Sequence, residues 1–124
     1  MTRKSQFKTA RSIRVLSASV DANLNRSRAL ILRDQGFEVI ASESVEDARE
    51  HMQNQSFDVI IFGSTLPRDT CWTLAGVFRN RNPKGTIIEI LPSPWAAPKN
   101  NPDVTIVSCD DPKELVSVIR QRAF

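Results

Sequence analysis

The chain has 124 residues, 40% hydrophobic and 25% charged, which bounds it to one globular domain able to bury a core without metals or disulfides. No apolar run approaches the roughly 18 residues that a membrane span needs, and no apolar stretch follows the basic N-terminus as a secretory signal requires, so the expected location is the cytoplasm. The formal net charge of +3 belongs to a tail: Arg3, Lys4, Lys8 and Arg11 are four of the 17 basic residues, which leaves 13 against 14 acids, about −1, from residue 12 onward.

Residues 1–11 are therefore expected to be a basic flexible tail, and 12–124 a single domain. Ile13 to Ser19, IRVLSAS, reads as a first strand. From Asp21 to Gln35 the apolar positions Leu24, Ala29, Leu30 and Leu32 approximate a helical stripe, closed by Gly36 as a left-handed C-terminal cap. FEVIAS, 37–42, is the second strand. Ser44 and Asp47 have N-cap spacing for a second helix that faces inward with Ala48 and Met52. DVIIF, 58–62, lacks polar alternation and is expected to be buried on both faces, as in a parallel sheet.

Leu74, Val77 and Phe78 give the inner face of a third helix, ended by Pro83 and Gly85. TIIEIL, 86–91, is the fourth strand. Pro92, Pro94, Pro98 and Pro102 then fall within twelve residues, so no long helix is expected over 92–103. VTIVS, 104–108, is the fifth strand. Asp111 and Glu114 make a capping-box-like start with Pro112 at the first helical position, leading into a last helix through Leu115, Val118 and Ile119. Strands alternating with helices imply right-handed crossovers and a doubly wound sheet. Ligands of such sheets bind beyond the carboxyl ends of strands at the switch point, here Leu16 to Asp21 and Gly63 to Pro67.

Taken in order, GFEVIAS, FDVIIFGSTLP, LPRDTCWTLAGVFR, TIIEILPS and DDPKELVSVI resemble a response-regulator receiver domain over residues 12–124. The resemblance implies a flavodoxin-like fold, a five-stranded parallel sheet of order 2-1-3-4-5, with a reduced fourth helix. Receivers bind Mg²⁺ through an acidic cluster after the first strand and accept phosphate on an Asp at the end of the third. They sense it through a Ser/Thr after the fourth strand and a Lys after the fifth. This chain departs from that pattern throughout: the acidic cluster is SASVD, with Ser17, Ser19 and a single acid, Asp21. The phospho-acceptor position is Gly63, the Ser/Thr position Pro92 and the Lys position Ser108. One carboxylate is too few for Mg²⁺.

The expected reading is a degenerate receiver that is not an enzyme, needs no metal or cofactor, and serves signal transduction as a phosphorylation-independent protein-interaction module. The alternative is a nucleic-acid-associated regulator using the tail, against which no helix-turn-helix or zinc module accompanies the body. An enzyme working through Ser64 or Thr65 would need an adjacent base, and the sole histidine, His51, falls on the second helix as a solvated residue. Asp58 is expected to cap backbone at the start of the third strand. Cys71 and Cys109 are expected to be packed, reduced thiols. Trp72 opens the third helix and fits core or interface equally. Trp95 fits a lid on the sheet edge or a partner contact; with Lys99 it is assigned to partner binding. The partner's identity is open, as is a homodimer.

Overall fold

The computed structural model describes residues 12–107 and 112–123. The tail 1–11, Ser108, Cys109 and Asp111 lie outside the described residues. In chain order the elements are β1 (Arg14–Ala18), α1 (Ala22–Asp34), β2 (Glu38–Ser42), α2 (Val45–Asn54), β3 (Val59–Phe62), α3 (Arg68–Arg81), β4 (Thr86–Leu91), β5 (Val104–Val107) and α4 (Lys113–Arg122). All strand pairings are parallel, in the order β2-β1-β3-β4-β5. This is the flavodoxin-like 2-1-3-4-5 sheet anticipated from the alternation of strand and helix.

Side-chain period two divides each strand between two cores. Val15, Val39, Val59, Ile61, Ile88, Ile90 and Ile106 pack against Ala29 and Leu32 of α1 and against Leu115, Val116 and Ile119 of α4. Leu16, Ala18, Ile60, Phe62 and Ile87 meet Ala48 and Met52 of α2 and Cys71, Leu74 and Phe78 of α3. Two helices thus cover each face, which is why β3 reads as an unbroken apolar run and β4 as an apolar run interrupted only by Glu89 after Thr86.

Local chemistry sets most boundaries. Ser44 accepts the Asp47 N–H at 3.1 Å and starts α2. α1 ends in a Schellman motif, with Gly36 N–H on the Arg33 carbonyl, Phe37 N–H on that of Leu32, and Gly36 at φ 93°. α4 begins at Lys113 behind Pro112, one residue later than expected. Asp58 accepts the Arg14 N–H at 2.8 Å, the backbone-capping role expected of it.

One expectation needs correction and two are narrowed. The buried face of α1 is Asn25, Ala29 and Leu32, while Leu24 and Leu30 are exposed. Trp72 is 72% exposed, because the inward phase of α3 is Cys71, Leu74 and Phe78 and position 72 lies about 130° from its centre. The fourth helix is not merely reduced: 92–103 contains only turns and irregular chain, since its four prolines supply no backbone N–H. No helix among the described residues is long and apolar enough to cross a membrane.

Candidate functional site

The carboxyl ends of β1 and β3 meet as the topology requires. Gly63 N–H donates to the Ala18 carbonyl at 2.9 Å, and Ser19 N–H donates to the Ser42 carbonyl at 3.0 Å. Between them sits Ser19, 1% exposed, whose hydroxyl accepts the Asp21 N–H at 3.2 Å. A Cβ on Gly63 would lie 2.8 Å from Ser19 Oγ and 3.0 Å from Ser19 Cβ, so any side chain here would require Ser19 to shift. Asp21 is exposed and serves as the N-cap of α1, accepting the Leu24 N–H at 3.0 Å. Pro92 follows β4 directly and is exposed. The structure thus joins Ser17, Ser19, Asp21 and Gly63 at one place; Ser108 lies outside the described residues.

Behind this point runs a polar network that the sequence did not disclose. Asn25, fully buried on α1, donates through Nδ2 to the carbonyls of Ser17 (3.0 Å) and Ser42 (3.1 Å) and accepts the Ser17 hydroxyl through Oδ1 at 2.7 Å. It ties together the ends of β1 and β2. The Ser42 hydroxyl reaches Asp47 Oδ2 at 2.9 Å, and Asp47 lies 3.6 Å from His51 Nε2. Arg28 points at Ser17 Oγ from 3.5 Å. Burial lowers the pKa of its guanidinium, and the charge of Asp21 partly offsets this.

The irregular segment 92–103 is held at defined points. Ala96 N–H closes a turn on the Ser93 carbonyl at 3.2 Å, with Pro94 and Trp95 at its centre and Trp95 90% exposed. Trp95 therefore covers no sheet edge. Lys99 is engaged within the chain: its N–H donates to Glu89 Oε2 at 2.7 Å, its ammonium to the Ser64 carbonyl, and its carbonyl accepts from Arg68 at 3.1 Å. Glu89 is 1% exposed and its Oε1 has no hydrogen-bond partner among the described residues. A lone charge in TIIEIL was the available signal for it. Cys71 is buried beside this group, and burial with the Glu89 charge pushes its thiol up to about 11, so it is a poor nucleophile near neutrality.

Farther along, Asp103 accepts from Arg79 at 2.9 Å and from the Ile87 N–H at 2.7 Å. Partial burial works against its ionised form, but the bonds from Arg79 and Ile87 and the charges of Arg79 and Arg122 outweigh it and hold the carboxyl below its ordinary range. A depressed folded pKa gives stability that is present above the ordinary Asp value and lost as pH falls through the folded one. Asp103→Asn is therefore expected to be less stable than wild type at pH 7, with the gap closing below about pH 4. Urea midpoints that stay equally separated from pH 7 to pH 3 would contradict this.

Mg²⁺ does not fit the residues at the β1 and β3 ends. Asp21, the one carboxylate there, is occupied as a helix cap, the Ser17 and Ser19 hydroxyls are bonded within the chain, and no group of three or more candidate ligands occurs among the described residues. Neither a family model nor a curated protein sequence matches the chain significantly. Solved structures do. A CheY-like receiver domain protein from Methanospirillum hungatei superposes with a TM-score of 0.75 at 18% identity, covering 91% of this chain and 94% of its own. The fold is that of a response-regulator receiver domain. The chemotaxis response regulator CheY4 of Vibrio cholerae gives a TM-score of 0.76 at 21% identity, over 92% of this receiver-like chain and 100% of its own. A Burkholderia pseudomallei response regulator, solved with a phosphorylated aspartic acid, gives 0.75 at 14% identity, over 90% of this chain and 69% of its own.

Proposed function

We propose that this receiver-like domain is a degenerate receiver, a cytoplasmic protein-interaction module of signal transduction that works without phosphorylation and catalyses no reaction. The observation that carries the reading is Gly63: it has no side chain to accept a phosphoryl group, and even a Cβ there would lie 2.8 Å from Ser19 Oγ. The neighbouring hydroxyls do not replace it. Ser64 and Thr65 have no described base beside them, and His51 is paired with Asp47 on α2.

The working surface is the face carrying the 92–103 segment. Where a crossover helix would lie, a chain with fixed φ at four prolines is clamped by Arg68, Arg79 and Glu89 and presents Trp95 at a turn. A surface that is already ordered loses little entropy on binding, so it suits constitutive recognition of a protein partner, with Trp95 as anchor and Lys99 holding the segment in place. Capture from native lysate tests this. Immobilised wild type is expected to retain the same partner whether or not it has been incubated with a small phosphodonor and Mg²⁺, and Trp95→Ala to lose that partner with an unchanged far-UV dichroism spectrum. Normal capture by Trp95→Ala, or capture that requires the phosphodonor, would overturn the proposal.

A further inference from the structure

Among the described residues four buried side-chain atoms lack a hydrogen-bond partner, and Glu89 Oε1 is the one that belongs to a carboxylate. One carboxylate oxygen, Oε2, holds the Lys99 N–H at 2.7 Å, while Oε1 is sealed from solvent and unpartnered. A buried carboxylate oxygen without a donor is unfavourable, more so than a neutral carbonyl left at a half-exposed position where water can reach it. Lys99 supplies the nearby cation, yet its ammonium sits on such a carbonyl, that of Ser64. The carboxylate already rests on the backbone N–H of Lys99, which brings it close to that residue's own four-carbon side chain. Cys71 feels both charges, which places them in one cluster.

We propose that Lys99 is a two-position latch whose ammonium exchanges between the Ser64 carbonyl and Glu89 Oε1, coupling the Gly63–Leu66 loop to the 92–103 segment. In the first position the ammonium ties the loop to the segment. In the second it completes the carboxylate, the segment stays pinned through the Lys99 N–H, and the loop is released. The first position leaves a buried oxygen unpartnered and the second leaves a water-accessible carbonyl, and the proposed exchange requires that both be populated. The latch gives the loop at the switch point a mechanical connection to the face carrying Trp95. Its relevance to partner binding rests on the function proposed above; its existence does not.

Amide hydrogen exchange of the isolated chain separates the latch from a static contact. The reporters are Ser64, Thr65 and Leu66, the last of which donates to the Gly63 carbonyl at 3.2 Å, normalised to Ile60 and Ile61 in β3. Glu89→Gln keeps the acceptor for the Lys99 N–H but offers an amide group, not an anionic oxygen, at the second position. It is expected to hold the ammonium on Ser64 and to slow loop exchange severalfold. Lys99→Met removes the tether and is expected to speed it severalfold. A contact without exchange predicts no slowing in Glu89→Gln, and unchanged or faster loop exchange in that variant would overturn the latch. Should Glu89→Gln fold poorly, Glu89→Met must give the same slowing or the proposal fails. No partner is present, so this outcome is independent of the capture experiment with Trp95→Ala.

Discussion

Asn25→Ala is expected to lower the unfolding free energy by roughly 3 kcal/mol, from an expected total of about 5–15 kcal/mol. The substitution removes one amide that makes three bonds, and the carbonyl of Ser17 and its hydroxyl lose partners inside the core. The Ser42 carbonyl keeps the Ser19 N–H, which limits the loss. Asn25→Asp is expected to be no better, since a carboxylate cannot donate to either carbonyl. The check is a urea titration followed by far-UV dichroism. A loss below about 1 kcal/mol, the contribution of one ordinary hydrogen bond, would mean that the amide does not join the ends of β1 and β2.

Gly63→Asp, the substitution that restores an acid at the end of β3, is expected to lower stability by roughly 2–4 kcal/mol and to leave the protein unphosphorylated. Its Cβ meets Ser19 Oγ at 2.8 Å and Ser19 Cβ at 3.0 Å, and a carboxylate would enter a buried position, with no group of three or more candidate metal ligands among the described residues. Ser19→Gly added to Gly63→Asp should recover part of the loss, because it removes the colliding atoms; the two substitutions are in contact and should not be additive. A single variant as stable as wild type, or one that takes up a phosphoryl group, would show that the pocket is intact and only the nucleophile is missing.

The sheet was legible because its signals are local and repeated. VIIF and TIIEIL carry the composition of strands covered on both faces, and Ser44 and Gly36 mark helix ends by chemistry that depends on only a few neighbouring residues. The loss of α4's usual predecessor was legible in four prolines, although the chain goes further and forms no helix there. The face of α1 was misread because Leu24 and Leu30 imitate a stripe, whereas the inward position belongs to an amide whose partners, Ser17 and Ser42, come from two other strands. Nothing in ANLNRSRAL distinguishes Asn25 from Asn23 without them. Trp72 could have been phased from Cys71, Leu74 and Phe78, which define an inner face that excludes it. Glu89 was visible as a charge, but its partner is a backbone N–H ten residues away across an irregular segment, which periodicity does not reach. At the site itself, the missing acid at Gly63 was plain from sequence; that Ser19 lies so close to it required the packing.

The most direct test of the central claim is the intact mass of the folded protein after incubation with a small phosphodonor and Mg²⁺. An unchanged mass is expected, from the side-chain-free Gly63, the close approach of Ser19 to it and the capping role of Asp21. A mass increase of one phosphoryl group, mapped to any residue within 17–21 or 63–65, would contradict it.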